Sequence, residues 1–233
     1  MHHWIVKLPP IFDQVFAVNM NTLITMWLCM GVLIILAILS TRKLSIVPGK
    51  AQFLGEKVME ALWGFADSTI EKDGRKHVPL LASLFLFILT ANLCGQIPWR
   101  LYHLKEGAEF AAPTSDINLT VALAVIVLVY YAFQGFRLKG YKFIIHEFSF
   151  VGVIMALVEL MDFVTRPLAL SLRLFANILA GEILVVTFIS FFPLFLPLPI
   201  MLFELMVAFI QAAVFTMLSA IYIGLATQPL EEH

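Results

Sequence analysis

The chain is short of charge. Asp, Glu, Lys and Arg make up 13% of its 233 residues, where ordinary globular domains carry about 25%. Basic and acidic side chains nearly cancel, leaving a net charge of -1. The electrostatic footprint of a nucleic-acid binder is therefore missing, and nucleic acid is not an expected partner. Cysteine is scarce too. Cys29 and Cys94 lie inside apolar runs with neither metal-ligand nor redox spacing, which reads as packing and excludes a disulfide scaffold. There is no glycine-rich phosphate loop, metal-binding cluster or nucleophile–base pair, so no cofactor or metal is expected and the chain does not read as an enzyme. Its opening, Met1 to Pro10, has a proline pair and no small-residue cleavage site. The first apolar run is accordingly expected to be retained.

What fills the chain instead is apolar: 61% of residues are hydrophobic and the mean hydropathy is +0.94. Roughly 20 apolar residues span a bilayer core. Residues 21–39, 79–97 and 117–136 meet that length. Two further regions, 148–192 and 199–226, are too long for single upright spans, and the three prolines of Phe191-Phe-Pro-Leu-Phe-Leu-Pro-Leu-Pro199 predict a turn between them. The expected fold is all-α and membrane-embedded, one domain over residues 1–233. It has five membrane helices, the last two long, tilted and antiparallel.

A sixth element mixes the two characters. Over 49–72, Phe53, Val58, Leu62, Phe65 and Ile70 mix with Glu56, Lys57, Glu60, Asp67, Glu71 and Lys72, the pattern of an amphipathic helix on the membrane surface or against a soluble partner. The charged run Glu71 to His77 predicts a water-exposed turn after it. Arg42 to Lys76 holds seven Lys and Arg residues and Arg137 to Lys142 three more, against Lys7, Arg100 and Lys105 on the opposite side. The positive-inside rule then sets the amino terminus outside and the carboxyl terminus in the cytoplasm.

The polar residues left inside the apolar runs carry the chemistry. Arg173 stands mid-way along the fourth region, where a lone arginine costs from about 2.5 to more than 10 kcal/mol. Asn177, four residues on, shares its face, and Arg166, seven residues back, lies close to it. Glu182 falls about half a turn round, directed at the returning helix, where Glu204 and Gln211 form one stripe. Glu182 and Glu204 are expected to meet near the outer ends, with Asn177 and Gln211 deeper. On the inner half lie Glu159, Asp162 and Thr165, separated from the outer set by Arg173 and Leu168, Leu170, Leu172 and Leu174. The arrangement implied is two half-pathways with a fixed cation between them, for which arginine suits because it stays protonated when buried.

The segment Ser171-Leu-Arg-Leu-Phe-Ala-Asn-Ile-Leu-Ala-Gly-Glu182 closely resembles the membrane-embedded a subunit of F-type ATP synthases. Pro113-Thr-Ser-Asp-Ile-Asn118 and Phe203-Glu-Leu-Met-Val-Ala-Phe-Ile-Gln211 are similar to other segments of that family. The resemblance implies a stator wall against a rotating ring of c subunits, each with one buried carboxylate. Peripheral-stalk b subunits, the remainder of the ATP synthase and membrane lipid are the other implied partners. The implied cargo is H+ in preference to Na+, and the implied setting a bacterial plasma membrane. Arg173 matches the family's essential arginine. Asp116, Asn177, Glu182, Glu204 and Gln211 match outer half-channel positions, although some relatives have histidine where Glu204 stands. Glu159, Asp162, Thr165 and Tyr222 match inner positions, Asp162 being a place often held by serine. A ring carboxylate is neutral in lipid and charged beside an arginine, so rotation past Arg173 unloads and reloads a proton.

Plainer readings stand beside these. Arg166 pairs with Asp162 or snorkels; Asp116 and Asn118 cap a helix; Gln211 bonds across helices. His77, His103 and His146 are solvated loop residues, and Trp4, Trp99, Tyr102, Tyr130 and Tyr131 sit at the membrane interface. A self-contained transporter holding an anion on Arg173 is the competing function, opposed by the absence of inverted repeats. An intramembrane hydrolase lacks its dyad. The purified chain reconstituted alone in liposomes is expected to move neither protons nor solute; solute uptake by the chain alone would favour the transporter.

Overall fold

In lipid a backbone must satisfy its own hydrogen bonds, and an apolar run free of charge does so as a helix. The structure, a computed structural model, describes residues 5–7, 17–42, 44–70, 74–96, 112–140, 150–191 and 197–228. Among these, five helices are long and apolar enough to cross a membrane: α1 (Met20–Thr41), α3 (Gly74–Gln96), α4 (Ile117–Lys139) and the longer α5 (Phe150–Phe191) and α6 (Pro197–Thr227). The amphipathic α2 (Lys50–Thr69) lies between the first two. A pair of three-residue strands, β1 (Ile5–Lys7) and β2 (Ala17–Asn19), runs antiparallel ahead of α1. The architecture is otherwise all-α.

The core lies where α3, α4, α5 and α6 converge. Tyr131, Phe215, Leu174, Ile88 and Ile223 are fully or almost fully buried there. The Tyr131 ring of α4 meets Phe163 of α5 at 5.4 Å and Tyr222 of α6 at 6.3 Å, so one aromatic side chain joins three helices. The interface role expected for Tyr131 is thus corrected: this residue is 1% exposed. By contrast α1 is peripheral. Thr25 and Cys29 are its buried residues, while Ile34, Ile35, Leu36, Ile38 and Leu39 are exposed, as suits a helix facing lipid.

Three contacts define how α5 and α6 run together. The Arg166 guanidinium lies over the Tyr222 ring at 5.2 Å, Asn177 donates to Gln211 at 2.7 Å, and Gly181 abuts Glu204. Rising numbers on α5 meet falling numbers on α6, so the pair is antiparallel. With 42 residues, α5 is about 63 Å long at 1.5 Å per residue, roughly twice the hydrocarbon thickness. At the other end of α6, the Lys139 ammonium donates to the Leu225 carbonyl at 3.0 Å, a favourable placement for a cation beside a helix C-terminus.

The stretch expected as a charged turn ends differently. Gly74 to His77 is the first turn of α3, which starts five residues before Pro79. Arg75 there pairs with Asp67 of α2 at 3.1 Å. His77 is buried, with Nδ1 2.9 Å from the Tyr130 hydroxyl on α4. Charges at a helix end reach water while the helix continues beneath them, and His77 found a buried polar partner that no local pattern announces.

Phe215 is fully buried at the centre of this core. Phe215→Ala is expected to cost about 3–5 kcal/mol through lost contacts and a cavity, measurable as a lowered thermal midpoint of the chain within its complex.

Candidate functional site

The part of the α5–α6 seam toward the C-terminal end of α5, expected to be the outer one, gathers five polar or small residues within two turns. Asn177 donates to the Gln211 amide oxygen, and Gln211 is 3% exposed. One turn further out, Gly181 makes room for Glu204: a Cβ there would lie 2.6 Å from Glu204 Oε1 and 3.2 Å from its carboxyl carbon. Glu182 is near enough to Glu204 to interact electrostatically. Its Oε1 accepts a 2.8 Å hydrogen bond from the Ala112 amide. Glu204 Oε1 and Gln211 Nε2 are buried without a hydrogen-bond partner among the described residues. Buried polar atoms are ordinarily paired with protein or water, so two open valences at neighbouring levels mark a seam suited to water.

The inner part is organised by Arg166. It donates to Asp162 Oδ2 of its own helix at 2.7 Å and lies over the Tyr222 ring, so that a cation–π contact joins α5 to α6. The plainer reading of Arg166, pairing with Asp162, is what the side chain does. Thr165 is exposed on the same helix. The side chain of Glu159 lies outside the described residues.

Between the two parts lies a buried, largely apolar layer. Leu170, Leu174, Ala212 and Phe215 are all buried at the intervening level. The hydroxyls of Thr216 and Ser219 bond back to Ala212 and Phe215 carbonyls of their own helix. Arg173 stands beside this layer and is exposed. Among the described residues it has neither a hydrogen-bond nor an ion-pair partner.

Asp116 is not drawn into the outer seam. Its carboxylate accepts from the Asn118 amide and caps α4, and it accepts from the Thr22 hydroxyl of α1 at 3.1 Å. The structure therefore joins Asn177 with Gln211, Glu182 with Glu204, and Asp162 with Tyr222 through Arg166. Two buried residues escaped sequence reasoning, Asn92 (1% exposed) and Thr114 (0%), which bond to each other at 2.6 Å. An asparagine inside the apolar span of α3 was a readable signal; the role of Thr114, in a turn, was not.

A multi-pass helical membrane protein with a polar seam between its last two helices is the class these features define. Residues 23–224 match the protein family described as ATP synthase A chain. ATP synthase subunit a of Gloeobacter violaceus is 44% identical over 218 residues, covering 93% of this chain and 87% of that protein. The chain belongs to the ATP synthase subunit a family, whose members serve proton transport and ATP synthesis as part of the ATP synthase complex.

Gly181 yields a direct test of the seam. Gly181→Ala is expected to displace the Glu204 carboxylate and slow ATP-driven proton pumping severalfold in membrane vesicles, and Gly181→Leu to stop it. Unchanged pumping in the leucine variant would show that the contact has no part in transport.

Proposed function

We propose that this chain is the non-catalytic, ion-translocating stator subunit of an F-type ATP synthase. In this reading two offset half-channels load and unload protons on a rotating ring of c subunits, and Arg173 separates them. Asp116, Asn177, Glu182, Glu204 and Gln211 line the outer half-channel. Glu159, Asp162, Thr165 and Tyr222 line the inner one. Peripheral-stalk b subunits hold the chain still. The amino terminus is outside and the carboxyl terminus in the cytoplasm of a bacterium, following the distribution of Lys and Arg.

The observation that carries this reading is the state of Arg173: a guanidinium midway along an apolar helix, exposed, with no partner among the described residues of its own chain. An unpaired cation at that depth is costly, which supports a carboxylate supplied from outside the chain. The buried layer of Leu170, Leu174, Ala212 and Phe215 supports the separation of two water routes. Among the described residues, that layer sets apolar side chains between the two polar clusters. A ring carboxylate arriving from lipid is neutral, and beside Arg173 it ionises and gives up its proton. Each proton crossing 100 mV releases about 2.3 kcal/mol, so several must be pooled for one ATP, which a rotating ring does.

Arg173→Ala is expected to abolish ATP-driven proton pumping by the assembled complex while ATP hydrolysis by the detached catalytic head continues. Pumping that survives the substitution would overturn the assignment.

A further inference from the structure

The Ala112–Ser115 turn, which includes the short helical turn Pro113–Ser115, is held closely by α3 and α5. Gly95 of α3 lies against it: a Cβ on Gly95 would fall 2.2 Å from the Ala112 Cβ and 2.7 Å from its Cα. One turn earlier on α3, Asn92 accepts the Thr114 hydroxyl at 2.6 Å and donates to the Ala208 carbonyl of α6 at 3.4 Å. Ala208 stands between Glu204 and Gln211, within one turn of each. From the other side of the turn, the Ala112 amide donates to Glu182 at 2.8 Å. Ala112, Thr114 and Asn92 are each no more than 2% exposed.

We propose that this turn positions the outer proton-handling groups, and that Asn92 and Thr114 are positioning residues for proton entry. Both polar ends of the hydrogen-bonded series terminate on the outer cluster: Ala112 on the Glu182 carboxylate, and Asn92 on the part of α6 that carries Glu204 and Gln211. A carboxylate is located by the donors it accepts, and a donor on a turn can hold it only as well as the turn is held. Gly95 and Asn92 supply that hold from α3, the first by lacking a side chain and the second by bonding in two directions. The titratable group shown to interact with Glu182 is Glu204 of α6; of those flanking the turn, Asp116 is engaged with Thr22 and Asn118 and Cys94 of α3 with Cys29. The inference rests on the reading of Glu182 as an outer half-channel group.

Thr114→Val and Thr114→Ser, in assembled ATP synthase reconstituted into liposomes, separate positioning from folding. Proton-driven ATP synthesis is measured across a series of pH values on the outer face, with inner pH fixed. Valine keeps the shape and removes the donor; serine keeps the donor. The valine variant is expected to lose about tenfold in rate, the scale of one hydrogen bond, and to change the outer pH at which the rate is half-maximal, while the serine variant follows the unmodified complex. Valine behaving like the unmodified complex, or both variants losing the same factor at every pH, overturns the proposal. If the valine variant does not assemble, Asn92→Ser is judged by the same two outcomes, and failure of both to assemble assigns the turn to folding alone and also overturns it. Arg173→Ala is run alongside. If that variant still pumps, the underlying half-channel reading fails; if it is inactive and Thr114→Val is normal, only the positioning role falls.

Discussion

The hydrogen bond from Asn177 to Gln211 sets how α5 lies on α6, and the depth of each polar group in the seam follows from it. Between helices in lipid there is no hydrophobic force to bring faces together, so packing and polar contacts choose the register. With Asn177 level with Gln211, Gly181 comes opposite Glu204 and Arg166 comes opposite Tyr222. A slip of one residue turns a helix by about 100° and would put a side chain where Gly181 now leaves space for a carboxylate.

Polar groups on this seam occur in two clusters with an apolar layer between them. In one, Arg166 is shared by Asp162 and the Tyr222 ring. The other leaves Glu204 Oε1 and Gln211 Nε2 without a hydrogen-bond partner among the described residues. Arg173, beside the layer, has its charge directed out of the chain. A structural arginine in lipid is normally paired within its own bundle; Arg166 is so paired, whereas Arg173, seven residues on along the same helix, is exposed, and the proposed role of Arg173 rests on that contrast.

The helices were readable because a run of about 20 uncharged apolar residues has few other structures open to it. The boundary of α3 was less so, since Arg75 and Lys76 look like loop residues yet extend from a helix end into water. His77 shows the same limit: its partner, Tyr130, is on another helix 53 residues away. Within the site, Asn177, Glu182, Glu204 and Gln211 stood out as polar residues in apolar surroundings. Asn92 gave the same signal with no charge or motif beside it. Asp116 had two readings, and its bond to the Asn118 amide is the capping one.

By itself the amino-acid sequence determined that this protein has five apolar helices and one amphipathic helix, and which faces of α5 and α6 are polar. Those properties come from local composition and from periodicity about each helix's own axis. Only the tertiary structure decided which polar groups meet: that Glu182 accepts from the Ala112 amide, that Gly181 receives Glu204, and that Arg166 is engaged while Arg173 is exposed. Such pairings depend on the rotation and relative height of separate helices, quantities that a pattern along one chain segment does not contain.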